Sequence, residues 1–250
     1  MKRFHEDCFF NTEDTDGTEL CFKIISVFSV FSVSSVFKNC LSAYNEGPQE
    51  SSALTQPANS ESAQELLAEF KQLWSEAEKL WDERQNQPAW HSYVSADFEA
   101  VFNTLYEMRG MYSTFLEWGS GLGVVTIMAS RLGFEAYGIE AEARLVEHSQ
   151  DFAEFHAPEA TFAEGSFIPT DYDWDPESGG DVYRSSIGSA DAYDQLGMEI
   201  QDFDLIYCYP WPDEHPLLHA IIRQFGRPDT TLITYDACEG MAVTRVNQDS

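Results

Sequence analysis

The strongest constraint on the fold is the regular alternation of short apolar runs with helical stretches after Gly110. Five apolar runs have the length and composition of β-strands: 114–118, 135–139, 160–163, 203–209 and 230–235. Three stretches have the pattern of helices: 124–132, 143–155 and 216–225. This order predicts an α/β fold with a doubly wound, mainly parallel sheet and helices on both faces. In such a fold the loops after the strands lie along one edge of the sheet, where ligands bind.

Two amphipathic helices are predicted before the sheet. Apolar residues recur every three or four positions from Leu66 to Trp81, among glutamate, lysine and glutamine. A second helix is predicted from about Ala96 to Met108, and Gly110 follows where a helix commonly ends. We expect both helices to pack on the sheet or to cap it.

The first sixty residues differ in composition from the rest. An apolar run with many serines, at 24–37, is followed by a stretch rich in serine, proline, asparagine and glutamine that ends near Ser60. We expect 1–60 to be a weakly ordered tail and linker, and 61–250 to be the globular domain, with 61–110 as its helical extension. An export signal and a membrane anchor are alternatives for the apolar run, which is shorter than the roughly 20 residues that cross a bilayer.

The chain is strongly acidic, with 43 aspartates and glutamates against 14 lysines and arginines and a formal net charge of −29. Such a charge repels phosphate groups, so nucleic acids are unlikely partners, and the short apolar run makes a membrane partner unlikely as well. The five cysteines are an odd number without Cys-x-x-Cys spacing. This favours a reducing compartment, the cytoplasm, over a disulfide framework or a zinc site. The histidines have no metal-ligand spacing, and we expect no metal.

A glycine-rich loop follows the first predicted strand. Glu117 precedes Gly119, Gly121 and Gly123, and a helix is predicted to begin at Val124. Glycines permit a tight turn and close approach of the backbone to a ligand, and the first turn of the helix offers free N–H groups. The spacing is G-x-G-x-G, which differs from the G-x-G-x-x-G of dinucleotide-binding folds and from the phosphate-binding G-K-[ST].

Acidic and hydroxyl side chains end the next two strands. Glu140 ends the second strand, where the two oxygens of its carboxylate suit a ribose diol. Glu164 and Ser166 end the third, and the neighbouring Phe167 has a ring that can stack on a base. The fourth strand leads into a loop from Tyr209 to His215, the best candidate for the substrate side of the site.

Together these motifs resemble the class I S-adenosylmethionine-dependent methyltransferases, through Glu117-x-Gly-x-Gly-x-Gly, Glu140 and the later post-strand motifs, over about residues 114–235. The resemblance implies a Rossmann-like fold, methyl transfer as the activity and S-adenosylmethionine as the cofactor. It implies cofactor contacts by nine residues: Glu117, Gly119, Ser120, Gly121, Gly123, Glu140, Ala141, Glu164 and Ser166.

Particular roles follow from the same resemblance. Glu117 is expected near the methionine amino group and Glu140 on the ribose hydroxyls, while Gly119–Gly123 line the methionine and ribose. Ile139 and Ala141 are expected to flank the adenine.

The sequence departs from the family pattern at three points, which concern the adenine contact, the acceptor and the sheet. Ser166 stands where the family usually has an aspartate for the adenine amino group. The fourth-strand motif reads Cys208-Tyr209-Pro210-Trp211, whereas nucleic-acid amino methyltransferases carry Asp/Asn-Pro-Pro-aromatic. We therefore expect a small-molecule or protein acceptor. Only 241–246 are a candidate for a further strand, and we expect the usual C-terminal β-hairpin to be absent.

The loop after the fourth strand supplies the candidate catalytic and substrate-lining residues. Asp213, Glu214 and His215 are candidates for a single base, because a sulfonium methyl group is already activated and needs mainly alignment. Tyr209 and Trp211 are expected to line the substrate site and could make cation–π contacts with an ammonium group.

Other interpretations remain open at the level of sequence. A non-catalytic nucleoside-binding or partner-regulating module would account for the unusual fourth-strand motif, and a dehydrogenase is disfavoured by Val124 in place of the third glycine. The acidic connection at 170–202 is interpreted as a surface loop, with a substrate-selecting lid as the alternative.

Overall fold

A computed structural model describes residues 62–87, 90, 94–173, 192–211, 214–237 and 239–245. The predicted tail and linker at 1–60 lie outside these residues. The helices are α1 (Ala63–Arg84), α2 (Phe98–Met108), α3 (Val124–Arg131), α4 (Ala143–His156), α5 (Ala192–Leu196) and α6 (His215–Phe225). The strands are β1 (Thr114–Trp118), β2 (Glu135–Glu140), β3 (Thr161–Glu164), β4 (Leu205–Cys208), β5 (Thr231–Asp236) and β6 (Gly240–Arg245).

The six strands form one sheet in the order β3-β2-β1-β4-β5-β6. The first five are parallel, and β6 pairs antiparallel with β5. The order reverses between β1 and β4, so the crevice at the carboxyl ends of these two strands is the place where open α/β sheets bind ligands. The prediction of a Rossmann-like, doubly wound and mainly parallel sheet is confirmed.

Side chains alternate between the two faces of the sheet. Leu116 and Trp118 belong to an apolar cluster with the buried residues of α5 and α6. The other face carries a cluster formed by α1, α3 and α4 together with Phe162 of β3. Helices therefore cover both faces, as the strand and helix order predicts.

The two N-terminal helices start at well-formed caps. Ser62 caps α1, its hydroxyl accepting from the main-chain N–H of Glu65 while the Glu65 carboxylate accepts from the N–H of Ser62. Asp97 caps α2 by accepting from two main-chain N–H groups of the first turn. An Arg131–Glu69 ion pair with two hydrogen bonds ties α1 to α3. The extension thus packs on the α3 side of the sheet, as expected.

The connection at 170–202 differs from the expected surface loop in the part that the structure describes. Residues 192–196 form α5, and a short 3₁₀-helix follows at Ile200–Asp202. Ala192 and Tyr193 are buried, and the Tyr193 hydroxyl accepts from the Trp118 indole N–H at 3.0 Å. The surface-loop interpretation is therefore wrong for residues 192–202, because this segment contributes apolar and hydrogen-bonding groups to the core.

The candidate sixth strand forms and lies at the edge of the sheet. All six residues of β6 pair with β5, from Gly240 opposite Asp236 to Arg245 opposite Thr231. The one candidate strand after β5 is therefore confirmed, and among the described residues no second strand follows it to complete the hairpin that the family usually adds. In the described part of the chain, no helix is long and apolar enough to span a membrane.

Candidate functional site

The glycine loop joins β1 to α3 in a left-handed backbone conformation. The φ angles are 73° at Gly119, 54° at Gly121 and 73° at Gly123, values that L side chains rarely adopt. The main-chain N–H groups of Gly119 and Ser120 both donate to the carbonyl of Ile139, at 2.9 Å each. The loop is thereby fixed to the end of β2, and α3 begins directly after it.

Gly123 is required by packing as well as by its backbone angle. A Cβ atom at this position would lie 2.6 Å from Cζ of Phe162 and 2.7 Å from Cβ of Ser149. A Cβ at Gly119 would have no atom within 4 Å, so the space beside Gly119 is open. The loop therefore has one closed end, against β3 and α4, and one open end.

Glu117 lies beneath this loop and is buried. Its Oε2 accepts two hydrogen bonds from Thr126 in the first turn of α3, from the main-chain N–H at 2.9 Å and from the hydroxyl at 2.6 Å. Burial raises the pKa of Glu117 to about 8, against the lowering effect of the Thr126 hydrogen bonds and with a smaller raising effect of the Glu140 charge. The site thus contains a buried acid that would gain from a nearby cation.

Glu140 connects the end of β2 to the glycine loop. One carboxylate oxygen accepts from the main-chain N–H of Gly121 and the other from that of Glu142, both at 2.9 Å. Burial raises the pKa of Glu140, and these N–H groups oppose the shift. The carboxylate has lone pairs left beyond these two bonds, so it can also accept from ligand hydroxyls.

The third-strand candidates occupy different environments. Glu164 stands opposite Glu140 in the pairing of β2 with β3 and is exposed, and its carbonyl accepts from the side-chain amide of Gln195 at 2.6 Å. Ser166 is buried, and its hydroxyl accepts from the main-chain N–H of Ile168 at 3.0 Å. Ala141, directly after β2, is exposed. The sheet edge therefore brings Glu140, Ala141 and Glu164 together.

Phe167 and Ile139, expected near a base, both pack against the core. The half-buried ring of Phe167 stacks on Trp118, with centroids 5.0 Å apart and an interplanar angle of 16°, and its stacking on a base stays a prediction. Ile139, expected beside the adenine, is 1% exposed and packs in the same cluster as Leu116 and Trp118. Strand alternation explains this, because it turns Ile139 towards the α5 and α6 face.

The loop after β4 is partly described. Tyr209 packs edge to face on Tyr235, with ring centroids 4.9 Å apart, and Trp211 is half-buried. Glu214 is 2% exposed, and its carboxylate accepts from the main-chain N–H of Trp211 at 3.3 Å. The half-buried His215 begins α6, and Asp213 lies outside the described residues. Glu214 is thus held within its own turn.

Sequence reasoning missed three residues of this site. Thr126 holds Glu117, Phe162 closes the loop at Gly123, and Tyr207 stands beside Glu117 in the pairing of β1 with β4. The Tyr207 side chain is buried and its hydroxyl has no hydrogen-bond partner among the described residues. Of these three, only Thr126 could have been found from sequence, because it lies in the first turn of the helix that is predicted to follow the glycine loop.

The sequence matches no protein-family model and no curated protein. Solved structures similar to it include an O-methyltransferase from Bacillus cereus in complex with SAH, with 17% identity over 74% of this chain and 70% of that one and a TM-score of 0.42. An RNA methyltransferase from Salinibacter ruber in complex with S-adenosyl-L-homocysteine has 18% identity over 58% and 78%, with a TM-score of 0.40. A putative O-methyltransferase from Klebsiella pneumoniae has 19% identity over 57% of each chain, with a TM-score of 0.38.

Because these TM-scores are low, the fold is assigned from the strand order and register described above and not from the matches. They include proteins described as RNA and as O-methyltransferases, so they do not share one acceptor class.

Proposed function

We propose that this protein is an S-adenosylmethionine-dependent methyltransferase that acts on a small-molecule or protein acceptor. One observation carries the proposal: the Glu140 carboxylate, at the end of β2, is hydrogen-bonded to Gly121 within a loop of left-handed glycines. The acid that we propose to bind a ribose diol and the open backbone turn therefore lie side by side at the carboxyl ends of β1 and β2, next to the switch point between β1 and β4.

The chemistry of the site fits the amino-acid end of this cofactor. Glu117 is buried, and burial, Thr126 and Glu140 set its pKa with no cation of the described residues among the causes. An ammonium group beside Glu117 would supply a positive charge that stabilises the ionised carboxylate. The Ser120 hydroxyl is buried in the loop without a partner among the described residues, and a ligand atom would satisfy it.

The nucleoside end is assigned to the neighbouring strand ends. Glu140 would accept from the ribose hydroxyls, while Gly119, Gly121 and Gly123 keep the backbone clear of the ligand. Ala141, Glu164 and Ser166 are proposed to surround the adenine, with Glu164 as its acidic partner because Ser166 already binds Ile168. The bound cofactor would supply a methyl group activated by a sulfonium, so the protein has mainly to align it.

The class of acceptor is proposed from the net charge of the protein. A formal net charge of −29 disfavours a polyphosphate chain and favours a neutral or cationic partner. Tyr209 and Trp211 are proposed to line the acceptor site. His215 and Asp213 are the better candidates for a base, since Glu214 is buried and bound to its own loop.

The test is methyl transfer by the full chain. The protein is incubated with methyl-labelled S-adenosylmethionine and a panel of amines, phenols, thiols, proteins and RNA, and the label is followed into each. We expect label in a small-molecule or protein acceptor and none with Gly121→Arg, checked for folding by circular dichroism. Label only in RNA would contradict the proposed acceptor class.

A second candidate is a non-catalytic nucleoside-binding module, and the burial of Glu214 favours it because a predicted base is thereby removed. This candidate predicts that S-adenosylmethionine binds without transfer to any acceptor. Calorimetric binding together with labelled product would exclude it.

A further inference from the structure

Two histidines lie one helical turn apart at the start of α6, and we call them the histidine pair. His215 is the first residue of the helix, and His219 follows four positions later. Residues four positions apart are neighbours on one side of a helix, with Cβ atoms about 5–6 Å apart. Arg223, a further four positions along, continues the same row. The backbone of α6 therefore brings the two imidazoles next to each other.

The histidine pair is accessible from solvent. Both histidines are half-buried. The fully buried residues of α6, which pack in the apolar cluster with Leu116 and Trp118, are Leu217, Leu218, Ile221 and Ile222. Among the described residues, none makes a hydrogen bond or an ion pair with either imidazole. Both rings thus have nitrogen atoms available to a ligand.

The electrostatic surroundings keep His219 neutral. Burial lowers the pKa of His219, and the charges of His215 and Arg223 lower it further. The influence of His215 also shows that the two rings lie within electrostatic range of each other. Because a metal ion binds the neutral form of imidazole, His219 has a free lone pair at neutral pH.

The spacing of the pair suits one class of ligand. Two histidines at positions i and i+4 of a helix can bind one metal ion together, as they do in helical zinc sites. Imidazole suits Zn²⁺, Cu²⁺ and Ni²⁺, whereas carboxylate and water suit Mg²⁺ and Ca²⁺. The formal net charge of −29 also attracts cations to the protein surface.

We propose that His215 and His219 together bind a divalent transition-metal ion. In the described part of the chain no group of three or more side chains could hold a metal, so water would complete the coordination. The inference goes beyond the proposed function and does not rest on it. A nitrogen that binds the metal cannot also accept a proton, so a bound metal would block the role of base proposed for His215.

This proposal departs from the sequence-based expectation of no metal. The sequence predicts the helix at 216–225 and so places His215 in the preceding loop. In the structure α6 begins at His215, which puts both histidines in one helix. The pairing depends on this single residue at the helix start.

The test is calorimetric titration of the full chain with Ni²⁺, in a buffer that does not bind metals and with excess Mg²⁺ to occupy carboxylate sites. We expect Ni²⁺ to bind and Mg²⁺ not to displace it, because imidazole prefers the transition metal. The measurement needs no S-adenosylmethionine, so its result is independent of the proposed function. Absence of Ni²⁺ binding, or loss of binding in excess Mg²⁺, would overturn the proposal.

Matched variants locate the site. His215→Ala and His219→Ala should each weaken Ni²⁺ binding about tenfold or more, since one of the two ligands is lost. His148→Ala is the control, because His148 is a half-buried helical residue of α4 with no second histidine one turn away. Circular dichroism checks that each variant is folded. Unchanged Ni²⁺ affinity in either His215→Ala or His219→Ala would overturn the assignment.

A third variant should strengthen binding, a result that a folding defect cannot produce. Arg223→Gln keeps both histidines and removes a positive charge that acts on His219. At low ionic strength we expect it to bind Ni²⁺ about twofold more tightly than the wild type, because a neighbouring cation repels the metal. Equal or weaker binding by Arg223→Gln would overturn the placement of the metal beside His219.

Discussion

The carboxylate of Glu140 accepts a hydrogen bond from the main-chain N–H of Gly121 at 2.9 Å, across the gap between the end of β2 and the loop that follows β1. This contact joins two motifs that are nineteen residues apart in sequence. It holds a side chain with free lone pairs beside a backbone that is open to a ligand. The sheet topology therefore brings Glu140 and the glycine loop, the two parts of the proposed cofactor site, next to each other.

The contact between Gly123 and Phe162 predicts a large cost for adding one methyl group. In Gly123→Ala the new Cβ would meet Phe162 at 2.6 Å and would also be strained by a φ of 73°. We expect a loss of about 2–4 kcal/mol in the free energy of unfolding, measured by urea denaturation. Gly133→Ala is the control, because its φ is 97° but no atom lies within 4 Å. Equal losses in the two variants would contradict a role for the Phe162 contact.

Tyr193 is predicted to stabilise the core through its hydroxyl. That group accepts from Trp118 at 3.0 Å and donates to the carbonyl of Phe167 at 2.7 Å. Tyr193→Phe leaves the buried indole N–H of Trp118 without this acceptor, so we expect a loss of about 1–3 kcal/mol in thermal or urea unfolding. Tyr137→Phe, which removes an exposed hydrogen bond to Glu135, should cost much less. A neutral effect of Tyr193→Phe would show that the bond to Trp118 is not stabilising.

Glu117 is predicted to make stability depend on pH. Burial raises its pKa from 4.5 to about 8, so the folded protein binds this proton more tightly than the unfolded chain does. Its contribution to the free energy of unfolding is fully present below pH 4.5, declines as the pH rises, and is lost above about pH 8. Glu117→Gln cannot titrate but can still accept from Thr126.

Urea denaturation of the wild type and of Glu117→Gln across this pH window measures the effect. The wild type should lose stability relative to the variant by a few kcal/mol as the pH rises from 4.5 to about 8. Glu154→Gln, on the exposed surface of α4, is the matched control. A difference between wild type and Glu117→Gln that is constant with pH would rule out a buried, proton-holding Glu117.

The buried hydroxyl of Tyr207 is predicted to reduce the stability of the fold. Its buried hydroxyl has no partner among the described residues, so Tyr207→Phe removes an unsatisfied polar group. We expect the variant to be more stable by about 1 kcal/mol in urea denaturation. A destabilised variant would indicate that the hydroxyl is satisfied in the folded protein in solution.

The sequence predicted the local structure well because its signals are local. The strand at 114–118 has the predicted bounds, and the observed ends of α4 and β5 differ from prediction by one residue. Gly119, Gly121 and Gly123 and the strand-end Glu140 were also identified, since glycine spacing and a polar residue after an apolar run are visible in one stretch of chain.

Contacts that depend on strand order and register were not predictable in this way. Nothing near Tyr207 in sequence shows that β4 pairs with β1 and places this residue beside Glu117. The pairing of β2 with β3 likewise brings Phe162 beneath the glycine loop. Tyr193 lies in a polar connection without periodicity, and its burial follows from the space left beside Trp118 and Phe167.

The most direct test of the account is isothermal titration of the full chain with S-adenosylmethionine, using the wild type, Glu140→Ala and the exposed control Glu154→Ala. Removing the carboxylate that is proposed to bind the ribose hydroxyls should weaken binding about 100-fold, since two hydrogen bonds to a charged group are lost. The control should bind as the wild type does. Absence of heat with the folded wild type, or equal affinity in Glu140→Ala, would contradict the proposed cofactor site.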